Sequence, residues 1–284
     1  MSDGAADLYT VSWGDPNAQN TAVLVHGLTG RAEAFRALAE KLESEGPAGW
    51  RFLAVDLRGR GATGKVEGSA GIQIHTADLL ALMQREGLDK VAFVGHSMGA
   101  MIGVHLAAHH PERVSRLVLV DGGSDVTDEV DALLSPVVER LRQTYPSREA
   151  YIENLRNLPI FEDRWDESLE RYFAGDVRPA DGGWRHHADL ETVTDDRGKM
   201  HGFPLSELWP RLECPTLVLL STVGLAGPEE GFILPPRDAR RIQEIIPDCT
   251  LVEVDDTNHY DILYSAPETT VEAIKGFLAE ERRW

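Results

Sequence analysis

KVAFVGHSMGAMIGVHLAA, residues 90–108, is the stretch whose reading decides the fold. It reads as a strand, a sharp turn and a helix. Residues 90–94 form a short apolar run containing valine, the pattern of a buried strand, and residues 98–109 carry apolar side chains at helical spacing with small residues between them. Between the two lies Gly95-His96-Ser97-Met98-Gly99, which fits G-x-S-x-G. In that pattern the serine occupies a strained turn, and the flanking glycines let neighbouring backbone pass close without a Cβ clash. Ser97 then stands at a helix N-terminus, where free N–H groups and the helix dipole favour developing negative charge. It is therefore a candidate nucleophile. The alternative, a plain helix N-cap, lacks any need for this strand-turn-helix context.

Working outward from the turn, strand and helix alternate through the first 120 residues. Residues 7–13 suggest an edge strand, 21–25 and 51–55 buried strands, 31–42 and 72–86 helices, and 114–120 a further apolar strand ending at Asp121-Gly122-Gly123. This alternation predicts an α/β fold, a mostly parallel sheet with helices on both faces. The regularity breaks over 124–208, which shows no clear strand but has helix-like pieces at 130–145 and 147–158. We expect an inserted helical cap there, with 1–123 and 209–284 forming the core. The pattern resumes with strands at 215–221 and 250–254 and helices at 236–246 and 266–281.

The 284 residues suit one core with an insertion. A composition of 42% hydrophobic and 26% charged residues is that of an ordinary globular protein. The net charge of -19 argues against nucleic acid as a partner, because phosphate contacts need clustered Lys and Arg. The N-terminus lacks a basic start followed by an apolar run, and no segment has the length of a membrane span, so we expect no membrane association and a cytoplasmic location. Cys214 and Cys249 are far apart and give neither a disulfide framework nor metal-ligand spacing. No metal or cofactor is expected.

Four motifs occur in order at expected strand ends: His26-Gly27, Asp56-Leu57-Arg58-Gly59-Arg60-Gly61, the turn at Ser97, and Thr257-Asn258-His259-Tyr260. In this order they resemble the α/β-hydrolase family, over both flanks of the insertion. A serine hydroxyl needs a base to take its proton as it attacks. The resemblance assigns that base to His259, in the loop after the last strand, and the oxyanion donors to the backbone N–H groups of Leu28 and Met98. Most relatives carry the orienting acid after the strand that follows the cap, but residues 222–230 offer no Asp there. Another set of relatives, including some haloalkane dehalogenases, zearalenone-type lactonases and some amide-cleaving hydrolases, places it at the end of the strand after the turn's helix. Asp121 stands at that position and is our choice, with Glu230 as the alternative acid. Arg58 and Arg60 lack P-loop spacing and read as a structural turn.

The resemblance implies a serine hydrolase acting on a small molecule, an ester or lactone first. An amide, an activated carbon-carbon bond, acyl transfer or perhydrolysis fits the same residues, and so does a small-molecule receptor of the same fold. Of the aromatic residues in the insertion, Trp184, beside Gly182-Gly183, is the expected substrate contact.

Overall fold

The computed structural model describes residues 4–280. Seven strands form the central sheet: β1 (Thr10–Gly14), β2 (Asn20–Val25), β3 (Trp50–Val55), β4 (Val91–His96) and β5 (Val114–Val120), then β8 (Thr216–Ser221) and β9 (Cys249–Val254). Their spatial order is β1-β3-β2-β4-β5-β8-β9. Only β1 runs antiparallel to its neighbour; the other six strands are parallel.

Successive strand side chains point to opposite faces, and the core divides accordingly. Val23, Val25, Phe93, Leu117 and Leu119 face one apolar cluster, which α2 (Ile72–Arg85), α3 (Met98–His109) and α8 (Pro236–Ile245) cover. Ala22, Leu24, Ala92, Val94 and Val118 face the other, under α1 (Arg36–Glu45) and α10 (Glu268–Ala279). Both faces being covered explains why the strands read as unbroken apolar runs. The helix expected at 266–281 is α10; residues 1–3 and 281–284 of the expected core lie outside the described residues.

Between β5 and β8 the chain leaves the sheet for α4 (Asp128–Arg140), α5 (Arg148–Arg156), α6 (Glu167–Ala174), β6 (Val177–Ala180), β7 (Gly183–His186) and α7 (Leu190–Met200). Thr127, Ser147, Asp166 and Asp189 cap the four helices, each accepting a bond from a backbone N–H in the first turn. The β6–β7 hairpin corrects the expectation of a wholly helical insertion. Its strands are four residues long, too short for alternation to register, and Pro179 sits within one of them. Gly182 and Gly183 turn the hairpin at φ 81° and 145°. Val130, Leu134 and Val138 of α4 join the first apolar cluster, while Tyr151, Leu169 and Phe173 join the second, so the insertion packs on both.

Because β2, β4, β5, β8 and β9 are adjacent and parallel, the loops after them emerge along one edge of the sheet. That edge is where open parallel sheets gather functional side chains. A short helix, α9 (Asp261–Tyr264), follows the loop after β9.

Candidate active site

Ser97 follows β4 directly, at φ 57° and ψ -119°. Such a conformation costs about 1–3 kcal/mol for a residue with a Cβ and persists only where the surroundings impose it. Here the Ser97 N–H donates to the Val120 carbonyl at 3.0 Å, and close packing excludes any side chain on either glycine. A Cβ on Gly95 would lie 2.3 Å from the Gly99 carbonyl oxygen, and one on Gly99 would lie 2.0 Å from that of Val25. The two glycines therefore set how closely α3 approaches β2 and β4.

Asp121 follows β5, also with positive φ, at 45°. Its N–H donates to the Leu219 carbonyl at 2.8 Å. The two carboxylate oxygens have separate partners. Oδ2 accepts from His259 Nδ1 at 2.7 Å, while Oδ1 accepts from the Ser221 N–H at 3.1 Å and the Ser221 hydroxyl at 2.8 Å. Both members of the pair are buried. With Nδ1 donating, Nε2 is the ring nitrogen left to accept a proton. Ser97 and His259 line one cavity together with Leu28, Leu133, Leu134, Val137, Tyr260 and Tyr264. Glu230, by contrast, is exposed in a turn that its backbone closes with Gly227.

The loop after β2 is fixed by His26 of the first motif and by Arg60 of the structural turn. The His26 Nε2 accepts from the Leu57 N–H at 3.1 Å, which puts the ring proton on Nδ1, and Nδ1 donates to the Gly27 carbonyl at 2.8 Å. In a trans peptide the next N–H points the opposite way from that carbonyl, so His26 sets the direction of the Leu28 N–H. Arg60 holds the following carbonyl, that of Leu28, through Nε at 2.9 Å and Nη2 at 2.7 Å. Full burial pulls His26 down to about 3, with its bond to Gly27 opposing and nearby Arg60 adding to the shift, so the ring stays neutral and keeps this tautomer. Gly27 itself lies against Ser97: a Cβ there would be 3.0 Å from the Ser97 Cβ.

His96 was also read only as a neighbour of the turn. It donates from Nε2 to the His259 carbonyl at 2.8 Å and stacks on the His259 ring with centroids 4.5 Å apart. Burial holds His96 well below its usual range, which suits a neutral donor. Position x of G-x-S-x-G was the available signal, but the partner lies 163 residues away.

Trp184 is the residue of the insertion expected to touch substrate. It sits on β7, where its backbone exchanges two 2.8 Å hydrogen bonds with Tyr145 and Arg148 covers its ring at 5.9 Å. It is not among the residues lining the cavity of Ser97 and His259. Arg58 and Arg60 are spent on buried carboxylates: Arg58 grips Asp78 through two 2.7 Å bonds, and Arg60 meets Asp196 at 2.6 Å.

Among the described residues, one buried trio has ligand-type atoms close together, Asp176, His186 and His187. Its hydrogen bonds do not suit a metal ion. The Nδ1 atoms of His186 and His187 accept from the N–H groups of Ala188 and Gly61 at 3.1 and 2.9 Å. Protons, not lone pairs, then sit on the Nε2 atoms that face Asp176. Arg31 also donates from Nε to Asp176 at 3.3 Å, placing a fixed positive charge where a cation would go. No helix of the described residues is long and apolar enough to cross a membrane.

Comparison with known proteins identifies the family. The family model described as the alpha/beta hydrolase fold matches residues 21–266. N-formylmaleamate deformylase of Pseudomonas putida is 26% identical over 242 residues, 84% of this chain and 81% of the relative. The crystal structure of E-2-(acetamidomethylene)succinate hydrolase superposes with a TM-score of 0.82 at 22% identity, covering 96% of this chain and 95% of that one. A thermophilic esterase from Thermogutta terrifontis superposes with a TM-score of 0.70 at 26% identity over 95% and 92% of the two chains. An elbow serine, a carboxylate-bound imidazole and the matching family model lead to one conclusion: the chain belongs to the alpha/beta hydrolase family and is a hydrolase.

Proposed function

We propose that the chain is a serine hydrolase that cleaves an ester or lactone of a small molecule through an acyl intermediate on Ser97. The observation that carries this reading is the Asp121–His259 hydrogen bond of 2.7 Å, with His259 sharing a cavity wall with Ser97. The Ser97 hydroxyl attacks the substrate carbonyl carbon as His259 Nε2 takes its proton. Asp121 holds the imidazole in the required tautomer and stabilises the imidazolium. The oxyanion forms against the N–H groups of Leu28 and Met98, which cost no reorganisation if aimed in advance. The imidazolium then gives its proton to the leaving oxygen. A water, deprotonated by the same nitrogen, next hydrolyses the acyl-serine and restores Ser97. His26 and Arg60 act on the Leu28 segment, and His96 on the His259 loop; all three are positioning residues.

In this proposal the segment 124–208 is a cap. The two cavities that Ser97 lines measure only about 30 and 20 Å³, room for no more than about two waters each. Admitting a substrate then requires α4 to shift, since Leu133, Leu134 and Val137 form one wall. Larger clefts, of about 310 and 680 Å³, do not include Ser97, and the first meets the Ser97 cavity only at the shared Leu133. The free thiols of Cys214 and Cys249 suit a cytoplasmic setting.

A second reading, amide cleavage on the same residues, is favoured by the relative named as a deformylase of N-formylmaleamate. Assay of purified protein against matched panels of short esters, lactones and amides tests both. Turnover that disappears in Ser97→Ala supports the hydrolase reading. Binding without turnover would replace it with the receptor reading.

A further inference from the structure

Helix α4 sends Leu133, Leu134 and Val137 into the wall of the cavity that holds Ser97 and His259. Arg140 lies three residues beyond Val137, on the same helical face. Its Nε is shut off from solvent and has no hydrogen-bond partner among the described residues. The titratable groups near enough to interact with its charge are Tyr260, Tyr151, Tyr145 and Asp176. Tyr260 matters most, because it follows His259, interacts with the Arg140 charge and itself lines the Ser97 cavity.

The charges around Arg140 do not balance. The phenols are neutral, and burial raises Tyr151 well above its usual range. Asp176 is the one carboxylate among these groups, and it is already engaged: by Arg31 Nε and the Tyr151 hydroxyl, each at 3.3 Å. The Nε2 atoms of His186 and His187 also face it, at 3.6 and 3.8 Å. Arg31 is ion-paired to that carboxylate, whereas Arg140 makes no ion pair among the described residues, which leaves one positive charge over. An unpaired cation is costly where solvent is excluded, and this chain carries a net charge of -19, so acidic side chains were available in quantity. The free Nε and its neighbouring nitrogen form the planar fork that accepts a carboxylate side-on.

We propose that Arg140 binds a carboxylate group of the substrate, remote from the bond that is cleaved, so that the enzyme selects acyl compounds bearing a second, anionic end. This rests on the serine-hydrolase reading for its catalytic half and on the charge imbalance alone for its binding half. Tyr260 would join the two halves, since it belongs to the His259 loop and interacts with the Arg140 charge.

The test uses two 4-nitrophenyl esters of equal acyl length, the neutral valerate and the mono-ester of glutarate, with wild type, Arg140→Met and Arg140→Lys. Wild type is expected to show the higher kcat/KM on the glutarate mono-ester. In Arg140→Met the ratio of the two kcat/KM values should fall by about thirtyfold or more, mainly through KM, as expected when one partner of a buried charge pair is removed. Arg140→Lys should recover part of the ratio. A wild-type preference for valerate, or equal losses on both esters, overturns the proposal. Calorimetric titration of glutarate into Ser97→Ala and into Ser97→Ala/Arg140→Met reads binding without chemistry. Binding that requires Arg140 supports the site even if neither ester turns over, an outcome that would sink the hydrolase reading alone. Failure of glutarate to bind, or equal affinity for inorganic phosphate, overturns the carboxylate assignment.

Discussion

Replacing Asp121 by Asn changes one atom of the proposed acid, and the surrounding hydrogen bonds dictate which way the amide must face. Oδ1 receives two donors, the Ser221 N–H and the Ser221 hydroxyl. An amide NH2 cannot occupy that position without opposing two protons, at a cost of about 1–3 kcal/mol for each lost bond. The amide oxygen therefore takes the Ser221 side and the NH2 turns toward His259 Nδ1, 2.7 Å away in the parent. Nδ1 must then accept, the ring proton moves to Nε2, and the base loses the lone pair that would receive the Ser97 proton. The expected loss in kcat is about 10⁴-fold, the size seen when a triad histidine is locked in the wrong tautomer. By transition-state arithmetic that is about 5.5 kcal/mol.

The assay is steady-state turnover of a short 4-nitrophenyl ester at pH 7 to 9, with a thermal melt to show that the fold survives. Adding Ser221→Ala to Asp121→Asn removes the hydroxyl donor at Oδ1, relaxes the bias on the amide and should restore part of the rate. Glu230→Gln, in its exposed turn, should stay within about twofold, as surface changes away from a site usually do. If Asp121→Asn keeps a tenth of the activity while Glu230→Gln loses orders of magnitude, the reasoning is refuted and the acid lies elsewhere.

Three further outcomes are expected. Ser97→Ala should lower ester turnover by at least about 10⁴-fold while leaving the thermal midpoint nearly unchanged; residual activity near wild type would place the nucleophile on another residue. Gly99→Ala should destabilise by about 3 kcal/mol or more, because its Cβ would sit 2.0 Å from the Val25 carbonyl oxygen; a urea midpoint equal to wild type would contradict the close approach. For His26, the folded value of about 3 lies below the ordinary histidine value of 6.5, so its contribution to stability is fully present above pH 6.5. As pH falls below 6.5 toward 3, that contribution should be lost with a limiting slope of about 1.4 kcal/mol per pH unit. Urea unfolding of wild type and His26→Gln at several pH values should show the difference between them shrinking over that window; a constant difference would mean the ring titrates normally.

Much of this molecule was legible along the chain. Periodicity located all seven strands of the main sheet to within three residues at either end, because a strand buried on both faces needs an unbroken apolar run. The turn at Ser97 was legible because its constraint is local: a residue at φ 57° between a strand and a helix requires glycines two positions either side. The β6–β7 hairpin was not legible, since four residues per strand carry too little alternation.

The deciding contacts of the site are long-range, and no local pattern encodes them. Asp121 and His259 are 138 positions apart, His96 and the His259 carbonyl 163, and Ser221 and Asp121 100. Parallel strands bring their ends to one edge whatever lies between them in the chain, so sequence supplied the chemical groups. Only the folded sheet decided which carboxylate meets the imidazole, which histidines stay neutral as braces, and that one arginine of the insertion is left without its share of negative charge.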